Sequence, residues 1–126
     1  MNSKTDASFN DYLRERTMKM AVDVRSLLLS TMIQPIDRPI VNQLIRSSTS
    51  AAANYCSATC GRSDAEFYSK ICVVVEEIDE TKFWLNYLDR IKTLSGQEAG
   101  KVLDEVDQLV RLFSSIKKKM KEKCHK

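Results

Sequence analysis

The scarcest residues constrain this chain most. Three glycines and two prolines are spread over 126 residues. They fall between or at the edges of long uninterrupted segments, at Pro35, Pro39, Gly61, Gly96 and Gly100. An all-β or α/β chain of this length needs frequent tight turns, and glycine and proline are the residues that make them. Few breakers beside abundant Leu, Ala, Lys, Glu and Arg predict long helices instead.

Apolar periodicity divides the chain into four such helices, at about residues 9–30, 38–60, 64–93 and 96–122. In the first, Phe9, Leu13, Met20, Val24 and Leu27/Leu28 recur at helical spacing, with Ser8 and Asp11 forming a candidate capping box. Pro35 lacks an amide and restricts Gln34 to extended geometry, which separates the first helix from the second. Asp37 is the expected N-cap of the second helix, with Pro39 in its first turn. The middle of that helix, Ser47-Ser48-Thr49-Ser50-Ala51-Ala52-Ala53, is small enough to predict the closest helix contact in the molecule. Ser63 and Glu66 form the capping box of the third helix, whose stripe is Phe67, Ile71, Val74, Ile78, Leu85 and Leu88. Ser95-Gly96-Gln97-Glu98 opens the fourth, where Val102, Val106, Leu109, Phe113, Ile116 and Met120 alternate steps of four and three. All three connections are short, so consecutive helices should be antiparallel neighbours. The expected fold is all-α, an up-down-up-down four-helix bundle forming a single domain over residues 1–126.

No apolar run approaches the roughly 18 residues of a membrane span. Met1 to Tyr12 holds no continuous apolar stretch either, so no secretory signal is expected. The four cysteines, Cys56, Cys60, Cys72 and Cys124, then read as reduced thiols in a cytoplasm. The formal charge is +3, unevenly placed. Residues 116–126 carry six lysines against Glu122, a local +5, which leaves −2 for the remainder.

Catalytic chemistry finds little support in this inventory, and the chain is expected not to be an enzyme. The sole histidine, His125, reads as a tail residue, which excludes the paired Glu-x-x-His motifs of a di-iron bundle. The glycines are isolated, so no phosphate-cradling loop is present. Cys56 and Cys60 are four apart on one helix and could offer two thiolates to a metal or a redox couple, with Cys72 a third. Cysteine also packs as a small hydrophobe, and that reading is preferred for them. No metal and no cofactor is expected. The acidic run Glu76, Glu77, Asp79 and Glu80 pairs Glu76 with Glu80 on one face, Glu77 facing elsewhere, and calls for a cation such as Arg46 or Arg62.

Phe83, Trp84 and Tyr87 lie outside the stripe that Leu85 and Leu88 continue. One helix of a bundle buries a single face, so this excess of aromatic surface points to a subunit interface. Candidate nucleic-acid contacts are Arg38, Arg46 and Arg62, together with Lys117, Lys118, Lys119, Lys121 and Lys123. The alternatives are an adaptor that binds only protein, through the aromatic flank, or a lysine-rich end that merely complements the helix dipole.

Parts of the second and third helices resemble a known family. Gln43 to Ser50, Ala53-Asn54, Arg62 to Phe67 and Lys70 are similar to the bacterial four helix bundle protein family. The same family is called the 23S rRNA intervening sequence protein or S23 family. Glu76 to Leu85, acidic residues followed by Thr81, Phe83, Trp84 and Leu85, resembles its second signature. The likeness is specific over about residues 40–90. It implies an up-down bundle assembling into a ring-like homopentamer, with no catalytic mechanism. A related group serves as accessory proteins of diversity-generating retroelements, where a cationic barrel engages nucleic acid and a reverse transcriptase. The likeness therefore implies as partners a second copy of the chain, RNA or DNA, and a reverse transcriptase or other protein. Asn54-Tyr55-Cys56-Ser57-Ala58 departs from the family's Asn-x-x-Glu-Ala pattern, so the role of that carboxylate does not carry over to Ser57.

Overall fold

A run without breakers does become helix. The structure, a computed structural model, describes residues 3–124, and α1 spans Ser3–Leu29. His125, read as a tail residue, and Lys126 of the basic end lie outside the described residues. Ser8 does not cap: no glycine or proline stands between it and Ser3, so the helix extends past it. Leu13, Met20, Val24, Leu27 and Leu28 are buried as their spacing predicts. Phe9, expected in that stripe, is 44% exposed, because it lies at the end of the bundle beyond its last full layer. The slot between Leu13 and Met20 is filled by Thr17, fully buried. Its hydroxyl bonds back to the Leu13 and Arg14 carbonyls at 2.9 and 3.1 Å, which removes the penalty of burying it.

Gln34 is extended, at φ −69° and ψ 145°, and Pro35–Asp37 forms a 3-10 turn that runs directly into α2, Arg38–Thr59. Pro39 sits in the first turn as expected. Asp37, the expected cap, makes no side-chain capping bond: the 3-10 turn has already set helical geometry at this residue, φ −92° and ψ −3°. A cap needs extended backbone to swing its carboxylate over the first turn.

The connection from α2 to α3, Asp64–Arg90, follows the sequence more closely. A Cβ on Gly61 would come within 3.1 Å of the Ala58 carbonyl, which explains a glycine there. Ser63 is extended and its hydroxyl accepts from the Glu66 amide at 3.1 Å. Glu66 Oε2 reaches back one residue further than a standard capping box, accepting from the Arg62 amide at 2.6 Å. α3 ends at Arg90 rather than near residue 93. Lys92 turns left-handed at φ 64°, and the Thr93 and Lys92 amides bond to the Leu88 and Asp89 carbonyls, each at 3.0 Å. That is a Schellman closure with lysine where glycine is usual. α4, Gly96–Cys124, starts at a positive φ of 86° and buries Ala99, Val102, Val106, Leu109 and Phe113.

Each helix packs on its neighbours in sequence, and α4 returns to α1, while the diagonal α2 and α4 meet through core side chains, Tyr55 against Phe113 at 5.3 Å. This is the expected up-down-up-down bundle. The α2–α3 seam is the most extensive, as the small residues predict: Ser47, Ser48, Ala51 and Ala52 are all buried in it. The buried Thr81 and Ser47 hydroxyls meet across this seam at 2.9 Å, sharing their protons with the Glu77 carbonyl at 2.9 Å and the Leu44 carbonyl at 3.2 Å. The α1–α4 seam is the slightest. It is clamped by Arg16, whose guanidinium meets both Glu105 carboxylate oxygens at 2.9 and 2.6 Å and Gln108 at 3.0 Å.

Candidate functional site

The antiparallel arrangement decides which candidate residues meet. Arg38 begins α2 and Arg62 follows its end, so ~33 Å of helix separates them. Arg46 lies between and is already engaged, donating to Glu77 at 2.8 Å and to Glu80 at 2.6 Å. Glu77 therefore shares the Glu80 side rather than facing elsewhere. Three residues apart the two carboxylates are only about 60° around the helix, within the span of one guanidinium fork. Trp84 Nε1 also donates to Glu80 at 3.1 Å. Burial pushes the Glu80 carboxyl up, but the bonds from Arg46 and Trp84 outweigh it and hold it below the usual range.

The remaining cations gather at the opposite end of the bundle from Arg38. Arg62, Lys119 and Lys123 rim a cleft of about 530 Å³ where α1 and α3 begin and α2 and α4 end. Lys123 also pairs with Asp64 at 3.2 Å. Lys117, Lys118 and Lys121 project elsewhere, because successive residues rotate about 100° and no single face collects all five lysines.

The aromatic candidates stand on the outer side of α3. Phe83 is 59% exposed and Tyr87 is exposed, while Trp84 is half-buried and packs on the core. The rings meet edge-on, Phe83 to Trp84 at 4.8 Å and Trp84 to Tyr87 at 6.2 Å. Ile91 extends this patch one turn further and escaped the sequence reading. A second patch escaped it entirely. Met18, Val22 and Leu29, at intervals of four and seven, form an outward stripe on α1, each half or more exposed. Met32 and Ile36 add exposed apolar groups just beyond it. The spacing of Met18, Val22 and Leu29 was a legible signal, masked by the stronger core stripe on the same helix. Since α1 and α3 are diagonal, the two patches lie on separate faces of the molecule.

The cysteines are unpaired: Cys56, Cys72 and Cys124 are half-buried, and Cys60 is exposed at the end of α2 rather than near the core. Among the described residues, no group of three or more His, Cys, Asp or Glu side chains could hold a metal ion. Nor is any described helix long and apolar enough to cross a membrane.

No protein-family model and no curated protein matches this chain. A solved structure does: a protein with unknown function from the S23 ribosomal protein family of Bacteroides thetaiotaomicron. The superposition has a TM-score of 0.72 at 24% identity, covering 83% of this chain and 97% of that one. What the two proteins demonstrably share is the four-helix fold.

Proposed function

We propose that this chain is a non-enzymatic, self-assembling bundle of the 23S rRNA intervening sequence type, closing as a ring and offering its cationic ends to RNA or DNA. The observation that carries the assembly is the pair of unlike apolar patches on separate faces of one subunit. A two-fold dimer buries the same patch on both copies and would leave the other exposed. Aromatic Phe83 and Tyr87 of one copy against aliphatic Met18 and Val22 of the next cover both, and a head-to-tail contact of this kind closes into a ring when the rotation between copies is a whole fraction of a turn. Five is the number that the family resemblance implies. A cytoplasmic setting is in keeping with four unpaired cysteines.

Nucleic-acid binding is a separate part of the proposal. Its support is the basic C-terminal end of α4 together with Arg62, not Arg46, which is held by carboxylates. A reverse transcriptase or another protein would be the further partner that the resemblance implies. Sedimentation at micromolar concentration and physiological salt should give about 72 kDa, five times 14.4 kDa. A stable 14.4 kDa species would eliminate the ring and leave the adaptor reading, with the aromatic flank meeting a different protein. Oligonucleotide affinity should fall by orders of magnitude between 50 and 200 mM salt if lysines contact phosphates. Affinity unchanged over that range would exclude those contacts.

A further inference from the structure

The cleft at the cationic end has walls that the assembly reading does not use. On one side, α4 presents Leu112, Ile116 and Met120 in line, eight residues and therefore ~12 Å of continuous aliphatic surface. Phe67 of α3 and Phe9 of α1 close the other side. Its volume, about 530 Å³, lies within the range of small-molecule sites, which in helical bundles open between helices. The cations that line it, Arg62, Lys119 and Lys123, are all exposed. Arg62 and Lys119 make no side-chain ion pair among the described residues, and Lys123 stands beside them on Asp64. The amino end of α3 adds partial positive charge at the same place. An apolar trough beside exposed cations is complementary to one kind of small molecule.

We propose that this cleft binds a free single-chain anionic amphiphile, a medium-chain carboxylate of about ten carbons. Its tail lies along Leu112, Ile116 and Met120, and its head meets Arg62 and Lys119. A nucleotide fits less well. A base stacks on a flat ring; Phe9 and Phe67 line one side of the cleft, but the facing wall of Leu112, Ile116 and Met120 is aliphatic, and Tyr55 is 1% exposed and packed against Phe113 at 5.3 Å. Aliphatic residues set in line, with a flexible methionine among them, suit a chain of methylenes. This inference does not depend on ring formation or on nucleic-acid binding.

The test is calorimetric titration of the full-length protein with decanoate, below its micellar concentration, beside decanol, adenosine monophosphate and anionic phospholipid vesicles. Decanoate should bind at one site per chain, at least tenfold tighter than decanol and than the nucleotide. Lys119→Glu with Arg62→Glu, both exposed, should weaken decanoate tenfold or more while leaving decanol unchanged. Ile116→Trp, which fills the trough, should abolish binding of both. Equal affinities for decanoate and decanol, or full binding by the charge-reversed variant, would overturn the proposed head site. Preference for the nucleotide would turn the cleft into a base pocket. Vesicle binding without decanoate binding would make it a membrane contact, and either result rejects the proposal.

Discussion

Replacing Phe83 with aspartate should dissolve the proposed ring and leave the bundle standing. An aromatic side chain offers roughly 200 Å² for burial, and Phe83 keeps 59% of its surface exposed in the single subunit. Covering that remainder removes roughly 120 Å² of apolar surface from water, about 3 kcal/mol at 25 cal/mol per Å². Each subunit contact should therefore weaken by at least about a hundredfold, and desolvating the new carboxylate adds to the loss. Within the monomer the change removes only one edge-on contact with Trp84, about 1 kcal/mol. Trp84→Asp is a poorer probe, since Trp84 packs on the core and bonds Glu80, so it would damage fold and interface together. Native mass spectrometry and sedimentation at micromolar concentration report the subunit number, and far-UV circular dichroism reports the helices. Gln97→Asp, at an exposed site on α4 away from both patches, is the control. If Phe83→Asp keeps the mass of the parent assembly, the α3 patch is not an interface and the argument from unlike patches fails.

Three further outcomes test the fold. Tyr55 is buried, and that burial pushes its hydroxyl up to about 12 from 10. The unfolded chain therefore loses this proton first as pH rises from about 10 to 12, and stability should fall by at most about 3 kcal/mol over that window. Tyr55→Phe should start ~1 kcal/mol less stable at pH 8, having lost the bond to Asn10, and should lack this part of the alkaline fall in denaturant melts. Arg16→Ala should lower stability by about 1–2 kcal/mol, with amide exchange rising first along the α1–α4 seam. Lys92→Gly should raise it by about 0.5–1 kcal/mol in thermal melts, because lysine is strained at φ 64° and glycine is not.

Periodicity carried the fold because each helix has one strong core stripe and each junction has its own local chemistry. Where the sequence reading missed, polarity or reach was the cause. Thr17 and Thr81 occupy core positions that an apolar pattern skips, because their hydroxyls return to carbonyls a turn earlier and need no water. Ser8 and Asp37 look like caps in sequence, but one lies inside a helix and the other inside a 3-10 turn. The acidic run calls for a cation such as Arg46 or Arg62, and the α2–α3 register, which no local pattern encodes, makes it Arg46. The cleft is further out of reach still. Arg62 and Lys119 are 57 positions apart, and only the antiparallel return of α4 past the start of α3 brings them together.

That topology also gives each subunit a direction. One end carries Arg62, Lys119 and Lys123, while the other exposes Leu29, Met32, Ile36 and Ile91. The two lateral patches lie between these ends, on α1 and α3, so neighbours joined through them stand side by side. Rotation about a single ring axis keeps every copy in the same orientation. A head-to-tail ring would thus set all cationic ends on one rim, whereas a two-fold perpendicular to the bundle would set them at opposite ends. Such a ring sums their potentials over one surface, where several kT of attraction for a phosphate chain can accumulate. The Phe83→Asp variant then acts on more than mass: without the ring, oligonucleotide affinity should drop although every lysine is still present. A dissociated variant that binds as tightly as its parent would show that assembly and charge serve separate ends.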